Sequence, residues 1–109
     1  MKLDEALAPR PRVSYQGNTV IINRIATEAL KSRYVSMTME GGEVVLRARH
    51  SLPREGGDLI CGTLTPIGQG RVFLRIGQLM KRYSLPRREN FSVLPQVAEG
   101  EVRFLWGGS

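Results

Sequence analysis

Several things are scarce in this chain. It has one cysteine and one histidine in 109 residues. A single thiol excludes a disulfide within the chain. Cys61 and His50 together do not supply the nitrogen and sulfur ligands of a zinc site. Aromatic residues are only 6%, so the core is expected to consist of Val, Ile, Leu and Met. No apolar run approaches the ~20 residues of a membrane helix. Residues 1–12 include Asp4 and Glu5 and no long apolar run, so they do not read as a signal peptide. A reducing cytoplasm is the expected setting, with no membrane partner.

Catalytic patterns are scarce as well. His50 has no paired motif, and Cys61 sits in an apolar segment as an expected core residue. The carboxylates have no metal-ligand spacing. Gly68-x-Gly70 follows a predicted strand but precedes another strand, whereas a phosphate-cradling loop needs a helix there. No cofactor, no metal and no enzymatic activity are expected.

Positive charge, by contrast, is plentiful. Lys and Arg number 16 against 10 acidic residues, for a net charge of +6. Thirteen of the basic residues are Arg, whose planar fork suits phosphate and guanine edges. This balance favours a polyanion as partner.

Patterning predicts a β-rich chain. Residues 12–16 and 19–23 read as strands, the second strongly β-branched. Asn23 is placed to cap a short helix over 24–32, where Ile25, Ala26, Ala29 and Leu30 fall at helical spacing. Residues 34–40 alternate cleanly, Gly41-Gly42 makes a turn, and 43–49 return as a hairpin. Pro53 and Gly56-Gly57 mark residues 50–58 as a linker. The second half repeats the order. It has a strand over 59–66 with Gly62 as a possible bulge, a strand over 71–75, and a helix around Ile76, Leu79, Met80 and Tyr83. A hairpin of 90–95 with 101–106 follows. The expected organisation is a lead-in at 1–11, one domain over 12–106, and a tail at 107–109. Within the domain, residues 12–49 and 59–106 form two repeats.

Gly42-Glu43-Val44 matches Gly100-Glu101-Val102, and Val20 and Ile22 match Val72 and Leu74. These residues also carry a resemblance. Gly17, Val20-Ile21-Ile22, the apolar pairs of 25–30, Val35-Ser36-Met37, Gly41-Gly42 and the strand over 44–48 resemble the AbrB/MazE/MraZ group of swapped-hairpin DNA-binding domains. The second half contributes Gly70-Arg71-Val72-Phe73-Leu74, the helix over 76–83, Phe91-Ser92-Val93 and Gly100-Glu101-Val102. Asn23 stands where the family usually has Pro, and Lys31-Ser32-Arg33 replaces its Gly-Asp turn. The resemblance implies a mainly β fold with two short helices, a swapped-hairpin-like β-barrel built from two strand-strand-helix-hairpin repeats. It implies either a pseudo-dimeric monomer or a homodimer.

The resemblance further implies DNA as partner, met at the strand–helix junctions, which here means Arg24, Arg71 and Arg75. Arg71 and Arg75 share a strand face with Phe73. Lys81, Arg82, Arg87 and Arg88 form a second basic group, although cations at a helix end also suit the helix dipole. Residues 59–109 hold seven basic and three acidic residues, against nine and seven in 1–58. The expected function is DNA binding or transcription regulation. The alternative is a prokaryotic or phage protein-interaction module, an accessory or inhibitor protein without nucleic-acid affinity.

Overall fold

Short alternating segments build the architecture. The structure is a computed structural model that describes residues 10–52 and 59–106. Most of the expected lead-in, most of the linker and the tail lie outside the described residues. The elements run β1 (Val13–Gly17), β2 (Thr19–Ile22), α1 (Arg24–Leu30), β3 (Tyr34–Glu40), β4 (Glu43–Arg49), β5 (Ile60–Thr63), β6 (Thr65–Gly68), β7 (Arg71–Arg75), α2 (Gly77–Tyr83), β8 (Arg88–Val93), β9 (Gln96–Ala98) and β10 (Glu101–Leu105). The fold is mainly β with two short helices.

The strands form two five-stranded antiparallel sheets, in the orders β6-β7-β2-β1-β8 and β5-β3-β4-β10-β9. They are not closed into a barrel, which differs from the expectation. Strands β6 and β8 end the first sheet, and β5 and β9 end the second. Two central pairings are reciprocal. Val20 faces Leu74 while Ile22 faces Val72, with Ile21 opposite Phe73 between them. Likewise Val44 faces Phe104 while Leu46 faces Val102, with Val45 opposite Arg103.

The core draws on both sheets and both helices. Val13, Tyr15, Val20, Ile22, Val72 and Leu74 come from the first sheet. Val35, Met37, Val44, Leu46, Val102 and Phe104 come from the second. Fully burying a side chain of this size contributes ~1.5–3 kcal/mol. Tyr15 is the largest fully buried side chain. Its ring lies 4.6 Å from Trp106 and 5.6 Å from Phe91, and its hydroxyl donates to the Leu105 carbonyl.

The helices are too short to stand alone and depend on this core. Helix α1 buries Ala26 and Leu30, and Asn23 caps it by accepting from the Ala26 N–H at 3.2 Å. Lys31 ends it in the left-handed conformation at φ 54°. Helix α2 buries Leu79 and has no side-chain cap. It is held instead by the chain before it, where the Ile76 N–H donates to the Asn18 carbonyl at 2.9 Å.

Two expectations in the second half are corrected. The single strand over 59–66 is two strands in different sheets, β5 on β3 and β6 on β7. Leu64 separates them, buried at 2% exposure, with its N–H bonded to the Arg33 carbonyl. The hairpin of 90–95 with 101–106 also does not form. Strand β8 pairs instead with β1, and β9 supplies the partner of β10. Leu94 and a buried Pro95 lie between them, and Pro has no N–H to continue a ladder.

Candidate nucleic-acid interface

Alternation on β7 sorts its side chains. Val72 and Leu74 point into the core, while Arg71 and Arg75 are exposed on the opposite face beside half-buried Phe73. The Arg75 guanidinium lies 5.9 Å from the centre of the Phe73 ring. Arg71 donates weakly from Nε to the Gly68 carbonyl at 3.5 Å. Among the described residues neither Arg has a carboxylate partner. No acidic residue occurs in β1, β2, β6 or β7.

The expected site residues fall into two groups. Arg24 opens α1 and Arg71 opens β7, and they meet around Gly70. A Cβ at Gly70 would lie 2.6 Å from Arg24 Cγ. Arg24 also pairs with Glu28 at 3.0 Å. Arg12 joins this end, a placement that its position at the start of the first predicted strand did not reveal. Its N–H donates to Asn23 Oδ1 at 3.0 Å, and its guanidinium donates to Ser92 at 3.1 Å.

The second group surrounds the β1–β2 turn. Arg75 lies opposite Thr19, and Arg88 lies opposite Gly17. Gly17 has φ +71°, and a Cβ there would come within 2.9 Å of the Arg87 guanidinium. Arg87 also pairs with Glu89 at 3.5 Å. Lys81 and Arg82 are exposed on α2 and share a groove with Ile60 and Gln78. Arg24 and Arg71 thus lie at one end of the β2–β7 pair and Arg75, Arg87 and Arg88 around the other, while Lys81 and Arg82 lie on α2 beside Ile60 of the second sheet.

No family model, curated protein or solved structure matches the chain. The reading of this surface accordingly rests on its own chemistry.

The second sheet shows what a charge-neutral face looks like in the same molecule. Arg47 binds Glu40 through both guanidinium ends, at 2.8 and 3.2 Å, and binds Glu101 at 3.1 Å. Arg103 reaches Glu101 at 3.1 Å and both Glu40 and Glu43 at 3.5 Å. Val45 lies on this face fully buried, beside the charged side chains and outside the main core cluster. The Arg47 hydrogen bond holds the Glu40 carboxyl below its ordinary value of 4.5, and the Glu40 hydrogen bond raises Arg47 in turn. Every Glu within this sheet's strands is thus engaged by Arg47 or Arg103.

The remaining chemistry is modest. Among the described residues no group of three or more His, Cys, Asp or Glu could hold a metal ion. No helix among them is long and apolar enough to cross a membrane. Cys61, expected in the core, is half-buried and lines a cleft instead. Strand β5 is an edge, and Cys61 faces Ser36 across the ladder while neighbouring Ile60 fills the core position.

Proposed function

We propose that the protein binds DNA, in a regulatory role of the AbrB-like type, through the outer face of the β6-β7-β2-β1-β8 sheet and its two strand–helix junctions. One observation carries the reading: Arg71 and Arg75 flank Phe73 on a face where β1, β2, β6 and β7 carry no acid and the acid of β8, Glu89, is paired with Arg87, while the other sheet neutralises its own charges. Arg24, Arg12, Arg87 and Arg88 extend the basic surface to both ends of that face, with Lys81 and Arg82 on α2. Phosphate contacts of this kind supply affinity that falls steeply with salt, with a log–log slope of about −0.9 per phosphate neutralised. They position the protein without reading sequence.

The same proposal treats residues 12–49 and 59–106 as two copies arranged like the subunits of a swapped-hairpin dimer. The reciprocal β2–β7 and β4–β10 registers support this, because a two-fold relation between equivalent strands pairs them in that way. On this view the pair forms within one chain, so a monomer is the expected species in solution.

Fluorescence anisotropy with a labelled duplex at two salt concentrations tests the proposal. Binding that weakens steeply at the higher salt is expected. Absence of duplex binding at low salt contradicts it and favours the protein-interaction module. Phe91 and Leu105, 44% and 53% exposed beside the Tyr15 cluster, are the surface that such a module would use.

A further inference from the structure

The two ends of the β2–β7 pair are built differently. At one end the stem of Arg24 lies over Gly70, filling the space above that turn. At the other, the small residue belongs to the helix: Gly77 faces Asn18, and a Cβ at Gly77 would still be 3.9 Å from the Asn18 amide nitrogen. The contact is looser, and a cleft of about 600 Å³ opens there. Its size is within the usual range for small-ligand sites.

The lining has a definite chemistry. Phe73 and Arg75, the hydroxyl residues Thr63 and Thr65, and the amide residues Asn18 and Gln78 all line the cleft. Met37, Cys61 and Gly62 line it as well. Strand β5 presses closely on the core here, since a Cβ at Gly62 would meet Leu74 Cδ1 at 2.7 Å. Among the described residues the side chains of Thr63, Thr65, Arg75 and Gln78 are not hydrogen-bonded to one another or to other side chains. The cleft therefore combines a guanidinium, an aromatic face, and several hydroxyl and amide groups free to orient.

We infer that this cleft binds a nucleoside monophosphate group, either as a free mononucleotide or as an unpaired unit of a strand. Arg75 meets the phosphate as a two-pronged donor. Phe73 offers its face to the base, and base–aromatic stacking is worth ~1–3 kcal/mol per base. The Thr hydroxyls and the Asn18 and Gln78 amides meet the sugar and the base edge, with both donors and acceptors available. The inference shares Arg75 with the DNA-binding reading but does not require duplex binding.

Titration of the full chain with adenosine 5′-monophosphate, followed by amide chemical shifts, tests it. Saturable shifts are expected at Thr63, Thr65, Phe73, Arg75 and Gln78, with adenosine and inorganic phosphate each binding at least tenfold more weakly. Arg75→Ala should weaken the mononucleotide at least tenfold. Gln78→Trp, at an exposed position on α2, should block the cleft while leaving the fold intact by circular dichroism. A single-stranded trinucleotide binding tighter than the mononucleotide identifies a strand unit as the ligand, whereas equal affinity identifies the free nucleotide. No saturable shift at millimolar nucleotide, or inorganic phosphate binding as well as the nucleotide, overturns the inference. Loss of duplex binding with nucleotide binding intact counts against the DNA reading alone. Duplex binding with no effect of nucleotide on the cleft counts against this one alone.

Discussion

The stem of Arg24 lies over Gly70, so that a Cβ at residue 70 would sit 2.6 Å from Arg24 Cγ and 2.8 Å from its Cβ. The contact joins the first helix of one half of the chain to the β6–β7 turn of the other. Gly70 also has φ +77°, a conformation that costs other residues roughly 1–2 kcal/mol.

Gly70→Ala is therefore expected to destabilise the fold by ~1–3 kcal/mol, from backbone strain plus crowding. Chemical denaturation measures it. The crowding part is separable, because Arg24→Ala removes the stem. In that background Gly70→Ala should cost less, a coupling that a double-mutant cycle reads directly. Equal costs in both backgrounds would show that the stem contact has no energetic weight.

Tyr15 ties the first sheet to the end of the last strand. Its ring packs on Phe104 and Trp106, and its hydroxyl serves the Leu105 carbonyl. Tyr15→Phe keeps the packing and should cost about 1 kcal/mol, the usual net value of one hydrogen bond. Tyr15→Ala should cost ~3–5 kcal/mol, as large-to-small changes in a core do. Urea unfolding of both variants distinguishes the two contributions.

These residues also show what the sequence made legible. The hairpin of Tyr34–Glu40 with Glu43–Arg49 follows directly from its alternation and its Gly-Gly turn, with the expected bounds. Asn23 caps α1 as its residue type suggests. The face of β7 that carries Arg71, Phe73 and Arg75 follows from period-two alternation alone. The second half was harder to read for physical reasons. Residues 59–66 are apolar enough for one strand, and only three-dimensional packing around Leu64 divides them between sheets. Strand β8 pairs with β1 of the first sheet rather than with the last strand, a choice its local pattern does not make. The cleft was invisible because Asn18, the Thr63–Thr65 stretch and Gln78 come from three separate parts of the chain. Arg12 gained a place beside Asn23 only through the β1–β2 pairing.

The charged face of the second sheet predicts a pH dependence. The Arg47 hydrogen bond lowers the Glu40 carboxyl below 4.5 in the folded protein. A group with a lowered folded value binds protons more readily when unfolded, so its contribution is present above about pH 4.5 and is lost as pH falls through the folded value. Stability should decline on acidification below that point. Glu40→Gln should remove part of this slope and leave stability near neutrality only slightly reduced, since ion pairs between exposed side chains contribute little. Thermal unfolding from pH 3 to 7 checks it. An identical acid limb in the variant would exclude Glu40 as a contributor.

Nucleic-acid binding through Arg71 and Arg75 is the central claim, and the salt dependence of duplex affinity tests it most directly. The measurement compares the native chain with Arg71→Ala/Arg75→Ala over a range of salt concentrations. Both side chains are exposed and neither has a carboxylate partner among the described residues, so the variant should keep its fold. Each lost phosphate contact should reduce the log–log slope by about one. The expected result is weaker binding with a slope shallower by about two. An unchanged affinity and slope would contradict the account.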